Sequence, residues 1–426
     1  MEIVRESNRF RRECMLTEQQ KKIIEHAYTT VPFYINLARE RNLNYKDFKD
    51  WEDIPVVKKE DLVFQTDSFL SSDYIMKYLS NELIYTHTSG STGDCKNIYW
   101  SQEDMNYSLS TLWLRRRRYY GINPHDRHCY FFTTRRFGKM DQEIEDKGFA
   151  LGFCKSNLSE EKLISIWKKM SEFQPVWLNL QPSIAILLAN VVQKKKLQDI
   201  SSLRYIELTG EMLLPEMKTY IENAFHAKAV NQYGSIEMNS IAFECPEGQL
   251  HCLEENCHIE ILDSQGRELK SGSEGEIYVT TLTNYAMPLI RYQLGDRGSL
   301  SEINCPCGGC RKVLRLTAGR STDYITDEEG NQINAYIFIR AVENVNCMVE
   351  HAILQFQIFQ KTKDKFLVKF VVDEEISKQE IERLFLENLW QDSLENVTYE
   401  FQYDFELLPD NQSGKLSWFI NEYDGQ

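Results

Sequence analysis

Between Thr86 and Lys96 the chain reads Thr-His-Thr-Ser-Gly-Ser-Thr-Gly-Asp-Cys-Lys, with glycines set among hydroxyl side chains and a lysine closing the stretch. Such a loop can bring backbone amides and hydroxyls close to phosphate oxygens, and the Lys96 ammonium adds charge. It lacks the Gly-Lys-Ser/Thr ending of a P-loop, so an ordinary P-loop NTPase is disfavoured. A surface turn rich in Ser and Gly is the plain alternative. A second group is Cys305-Pro306-Cys307-Gly308-Gly309-Cys310, with Cys245 and His251 upstream. Clustered thiols flanked by turn formers suit a soft divalent ion. A closed tetrahedral zinc site from Cys245, His251, Cys305 and Cys307 is expected, with Cys310 as a substitute ligand. Its role would be structural, stapling a β-rich region; reduced thiols without metal are the alternative.

These residues need a scaffold, and the sequence outlines one. Thr17 with Gln20 has capping-box spacing and opens a helical stretch over 17–41, which Pro32 interrupts. From about 83 to 300, short β-rich runs alternate with helical ones. Strands are predicted at 83–86, 128–133, 176–180, 204–208 and 229–232, and helices at 102–119, 159–172, 183–196 and 214–226. That alternation predicts an α/β domain with substantial parallel sheet. Hairpins follow at 259–262 and 275–281. A small α+β unit begins near Gly319-Arg320, with a hairpin at 324–333, a helix at 335–345, strands at 351–359 and 366–372, and a helix at 377–390.

With 426 residues the chain suits a large domain plus a smaller one, and 42% hydrophobic and 27% charged residues fit a globular protein. A net charge of −15 argues against general nucleic-acid binding. The apolar run Ile184–Val192 is about half of the ~20 residues that a bilayer span requires. The first ten residues lack a secretory signal's apolar stretch, and eleven cysteines suit a reducing compartment, so a cytoplasmic location is expected.

The Thr86–Lys96 loop resembles the phosphate-binding signature of the adenylate-forming superfamily of acyl-CoA synthetases, luciferases and nonribosomal-peptide adenylation domains. Four further segments match in order: Tyr233-Gly234-Ser235-Ile236-Glu237, Pro288 to Asp296, Gly319-Arg320 and Ser413-Gly414-Lys415. Ala27 to Tyr34 and Ile54 to Leu62 add a likeness to the phenylacetate–CoA ligase branch, particularly its capsule-biosynthesis (CapK)-like members. The resemblance implies a large N-terminal domain with mixed sheets (1–319) and a small, mobile α+β C-terminal domain (320–426). It further implies that Thr88, Ser89, Ser91, Thr92, Gly93 and Lys96 hold the β and γ phosphates of ATP. Gly210 and Glu211 would flank the adenine, Tyr233 would lie against the nucleotide, and Glu237 would bind Mg²⁺. Asp296 would bind the ribose hydroxyls with Arg320 nearby, and Lys415 would sit between the substrate carboxylate and the α-phosphate.

The implied chemistry suits these residue types. Attack of a carboxylate on the α-phosphate expels pyrophosphate and loads charge onto phosphoryl oxygens, where Mg²⁺ and an ammonium stabilise it. Three departures stand out. Cys95 replaces a proline, and Ile236 replaces a hydroxyl residue, leaving Ser235 or a backbone amide to compensate. After Arg320 comes Ser321-Thr322-Asp323 and then an acidic turn at Asp327-Glu328-Glu329, which would disfavour phosphate-bearing CoA. The expected product is therefore an acyl-AMP of a carboxylic acid, aromatic by likeness, passed to CoA or alternatively to an amine or a carrier-protein thiol. A catalytically inactive zinc-stabilised binding protein is the rival of another class. Arg115–Arg118 reads as a solvated helix end, with a docking patch for an acidic carrier protein as the alternative. Tyr130, Phe131, Phe132, Trp177 and Tyr205 read as pocket lining or strand core, and homodimerisation stays open.

Overall fold

The computed structural model describes residues 16–88, 96–132, 143–155, 158–309, 311–318, 324–326, 332–349, 353–372, 377–390, 397–404, 406–409 and 416–423. Its backbone forms two compact units. One comprises Met1–Tyr119 with Tyr233–Thr317, the other Tyr120–Gln232 with Ala318–Gln426.

The first unit opens as its capping box predicts. The Thr17 amide donates to Gln20 Oε1 at 2.8 Å and Thr17 Oγ1 accepts from the Gln20 amide at 3.3 Å, starting the helix Glu18–Thr30. Pro32 splits the expected stretch into two helices, because it lacks an amide proton and takes the first position of Pro32–Glu40. Ile23, Ala27, Val31 and Tyr34 belong to one apolar core with Ile259, Ile261, Ile277 and Val279. The sheet of this unit runs in the order 257–262, 274–281, 292–302, 312–318, 250–252 and 239–244. A separate hairpin pairs Ile84–Thr88 with Lys96–Trp100, and its register sets Thr88 opposite Lys96.

In the second unit, strands Ala150–Cys154, His128–Phe132, Trp177–Leu180, Tyr205–Thr209 and Lys228–Ser235 pair in parallel, as the β/α alternation predicts. Alternate side chains go to opposite faces. Cys129, Phe153, Leu178, Ile206 and Leu208 pack with the helices Glu160–Phe173, Pro182–Lys195 and Pro215–Phe225 in a single core. The C-terminal elements extend that core through Phe338, Ile358, Phe366, Phe385 and Phe419. Their four-stranded sheet has the order 398–403, 365–372, 353–362 and 419–421, beside the helices Tyr336–Met348 and Lys378–Trp390. Among the described residues, no helix is long and apolar enough to cross a membrane.

Candidate active site

Tyr233, Ser235 and Glu237 follow one another at the end of the strand Lys228–Ser235, and Asp296 lies in Tyr292–Glu302. The Tyr233 phenol donates to Asp296 Oδ2 at 2.6 Å. Burial, reinforced by the neighbouring Asp296 charge, holds that phenol well above its ordinary pKa, so it remains a donor. The Tyr292 hydroxyl approaches Glu237 Oε1 at 3.4 Å. Gly295 adopts φ +91°, a left-handed conformation that favours glycine immediately before Asp296. Ser235 Oγ accepts from the Met238 amide at 3.2 Å, so its hydroxyl caps its own turn.

The segment from Pro288 to Asp296 is braced from beneath. Arg291 reaches Glu260 through Nε at 3.1 and 3.0 Å and through Nη2 at 2.9 Å, and its Nη1 donates to the Ile54 carbonyl. Burial pushes the Glu260 carboxyl up to about 7, against the pull of the guanidinium. The Ile290 amide donates to Tyr34 Oη at 2.8 Å, and Val57 bridges to Tyr292. The early stretches Ala27–Tyr34 and Ile54–Leu62 therefore support the Asp296 strand. Sequence reasoning did not single out Glu260, whose partner Arg291 is 31 positions away.

In the second unit, Gly210 follows the strand Tyr205–Thr209 at φ +84°. The Glu211 carboxylate accepts from the Ser183 amide, the Ser183 hydroxyl and the Leu416 amide, each at 2.9 Å. Desolvation raises its pKa and these three donors oppose the shift. Strand alternation divides the expected aromatic group. Phe131 packs against the helical core, while Tyr130, Phe132, Trp177 and Tyr205 take the opposite face. There His128 stacks on Trp177 with ring centroids 4.6 Å apart.

The ligand atoms of Cys245, His251, Cys305 and Cys307 all lie within 4.8 Å of one another. Cys245 Sγ is 3.8 Å from Cys305 Sγ, and Cys307 Sγ is 3.2 Å from His251 Nε2. Thiolates bound at about 2.3 Å to a tetrahedral zinc stand about 3.8 Å apart, so the donor set and spacing fit that ion. Burial pushes the Cys245 thiol up to about 12. Burial also opposes ionisation of Cys307, but hydrogen bonding with Cys305, the Gly309 amide and Tyr119 outweighs it and lowers that pKa. The arginine run is not simply solvated. Arg115 pairs with Glu255 at 2.7 Å, Arg118 Nη2 donates to the Gly308 carbonyl at 2.9 Å, and Arg116 is buried against Trp113.

A family model described as AMP-binding enzyme matches residues 80–285, and one described as CapK C-terminal domain matches residues 325–422. Phenylacetate-coenzyme A ligase of Thermus thermophilus is 25% identical over 413 residues, covering 94% of this chain and 88% of the relative. Protein CapK of Staphylococcus aureus is 24% identical over 435 residues, covering 96% and 90%. The chain belongs to the adenylate-forming superfamily. It lies in the phenylacetate–CoA ligase and CapK-like branch, and it is an adenylate-forming ligase. A solved structure of 2-hydroxyisobutyryl-CoA ligase in the postadenylation state has the same fold, with a TM-score of 0.73 at 20% identity over 95% of this chain and 88% of that one.

Several expected site residues of this adenylate-forming ligase lie outside the described residues: Ser89, Ser91, Thr92, Gly93, Cys310, Arg320 and Lys415, together with the Asp327–Glu329 turn. Thr88 and Lys96 are described through their backbone pairing alone.

Proposed function

We propose that this ligase activates a carboxylic acid carrying an aromatic group as its acyl-AMP and passes the acyl group to CoA. The convergence of Tyr233, Asp296 and Glu237, from segments 63 and 55 residues apart in their two contacts, carries the reading. Asp296, oriented by the Tyr233 phenol, suits two vicinal ribose hydroxyls as an acceptor. Glu237 offers a hard oxygen ligand of the kind Mg²⁺ takes, and that ion would neutralise charge on the phosphates. The loop between Thr88 and Lys96 would hold the β and γ phosphates, the Gly210 backbone would pass the adenine, and Arg320 would stand near the ribose.

In the first step a carboxylate oxygen bonds to the α-phosphorus as the bond to the β-phosphate oxygen breaks, and pyrophosphate leaves. Lys415 would stabilise the charge gathering between carboxylate and α-phosphate. In the second step a thiol sulfur bonds to the acyl carbon, its proton is lost to solvent, and the bond to the AMP oxygen breaks. The aromatic face bearing Tyr130, Phe132, Trp177 and Tyr205 supports an aryl substituent on the acid. The Cys245, His251, Cys305 and Cys307 group would hold a structural zinc, consistent with a reducing cytoplasm. We place the division between the large and small domains at Gly319-Arg320.

Acid-dependent ATP–pyrophosphate exchange tests the first half, using a panel of aryl and alkyl acids that begins with phenylacetate. Exchange stimulated by no acid overturns the activation reading. Product analysis with CoA against candidate amines then identifies the acceptor. Amide as the dominant product replaces CoA by an amine.

A further inference from the structure

The bonds to Glu211 join two parts of the chain that the family models treat separately. Glu211 falls within the AMP-binding match, and Leu416 within the C-terminal match. Leu416 is also the residue next to Lys415. Beyond it the chain is committed to the small sheet: Gln357 Nε2 donates to the Ser417 carbonyl at 2.8 Å, the Ile358 amide donates to the Trp418 carbonyl at 2.8 Å, and Phe419–Asn421 pairs in parallel with Ile353–Thr362. Glu211 in turn is fixed by Ser183 near the start of the helix Pro182–Lys195, where free amides and the helix dipole favour a carboxylate.

The remainder of this joint is imperfect. Ser183, Glu211, Leu416, Gln355 and Trp418 line a cleft of about 50 Å³, room for a few waters but not for a nucleotide. Gln355 is 2% exposed, its Oε1 accepts from the Leu407 amide at 3.2 Å, and its Nε2 has no hydrogen-bond partner among the described residues. A joint with a gap and an unmet donor depends heavily on its charge-assisted bonds.

We propose that Glu211 is a positioning residue that holds the segment following Lys415 to the AMP-binding region, and that adenylation depends on this tie more than acyl transfer does. The proposal rests on the adenylation reading above. It gives the Glu211 side chain a task distinct from lining the adenine.

Glu211→Gln tests it, because glutamine retains one acceptor oxygen. The Ser183 and Leu416 amides approach opposite carboxylate oxygens, so one of them must face an amide NH₂. Glu211→Asp keeps the charge but shortens the reach, and it serves if the first variant is unstable. Hydrogen exchange of the peptide containing residues 416–421, measured without substrates, should speed up about tenfold, as expected for a lost charge-assisted bond. With phenylacetate, pyrophosphate exchange should fall about tenfold, and by clearly more than either ATP affinity or thioester formation from supplied phenylacetyl-AMP and CoA. Unchanged hydrogen exchange in both variants overturns the proposal. ATP affinity falling in step with exchange, or equal loss in both half-reactions, overturns it as well. A wild-type enzyme that no acid stimulates rejects the adenylation reading instead, and the substrate-free hydrogen-exchange comparison still decides the tie.

Discussion

The Tyr233 hydroxyl and the Asp296 carboxylate are joined at 2.6 Å although 63 residues separate them in the chain. The bond fixes the direction in which Asp296 presents its remaining lone pairs. Tyr233→Phe keeps the ring and removes that restraint. A hydrogen bond to a charged group contributes about 1.5–3 kcal/mol, so KM for ATP should rise by about tenfold or somewhat more. Steady-state kinetics with ATP as the varied substrate check this, and an unchanged KM would separate Asp296 from nucleotide binding.

Lys415→Ala should remove a charge used mainly in the adenylation transition state. The expected loss in acid-dependent pyrophosphate exchange is on the order of 10²–10³, comparable to deleting one preorganised donor. ATP affinity should hardly move. A folded variant exchanging at the wild-type rate takes the assigned role away from Lys415.

Purified protein should carry about one zinc ion per chain in a closed four-ligand site. Replacing Cys305 and Cys307 by serine should release the ion and lower the melting temperature, because binding energy at such a site adds to folding energy. Gly309→Ala should act in the same direction. A Cβ there would run into the Tyr119 hydroxyl and lie 3.1 Å from Cys307 Sγ. Elemental analysis finding no zinc in chelator-free preparations would falsify the metal assignment.

His258 gives the first unit a pH response. Its ring stacks on Trp51 with centroids 4.1 Å apart at 8°, Nδ1 lies 3.4 Å from Gln20 Nε2, and Nε2 has no hydrogen-bond partner among the described residues. Burial holds its pKa well below 6.5, with smaller contributions from Lys312 and Arg291. The folded state thus binds a proton less readily than the unfolded state. The stabilisation is complete above pH 6.5 and is lost as pH falls toward the depressed folded value, by about 1.4 kcal/mol per pH unit. His258→Phe keeps the stack and should flatten this slope. Urea midpoints followed by far-ultraviolet circular dichroism from pH 5 to 8 provide the comparison; parallel curves for the two proteins rule His258 out as the source.

The elements most legible in the sequence were those with strong local signals. Thr17 and Gln20 announce a helix start, and Pro32 its interruption. The strand Ala150–Cys154 was less visible, because Ala-Leu-Gly-Phe-Cys is buried on both faces and lacks alternation. Gly152 is required there by the Tyr130 ring, with a Cβ only 2.7 Å from Tyr130 Cζ. The site follows the same rule. Tyr233, Glu237 and Asp296 stand in recognisable short motifs, whereas the Glu260–Arg291 pair depends on tertiary proximity. The Leu416 contact to Glu211 is made by a backbone amide 205 residues away, which has no side-chain signature to read.

The bond from the Ile290 amide to Tyr34 closes the first unit across 256 residues, and that span sets a schedule for synthesis. At about 5–20 residues per second, a ribosome needs roughly 10–50 s to deliver the partner after Tyr34 has emerged. During that interval the nascent helices Glu18–Thr30 and Pro32–Glu40 present Ile23, Ala27, Val31 and Tyr34 without the strands that later cover them. Translation speed and chaperone occupancy while residues 35–290 are made should therefore govern the yield of native enzyme more strongly than they would in a protein whose early helices are covered by neighbouring segments of the chain.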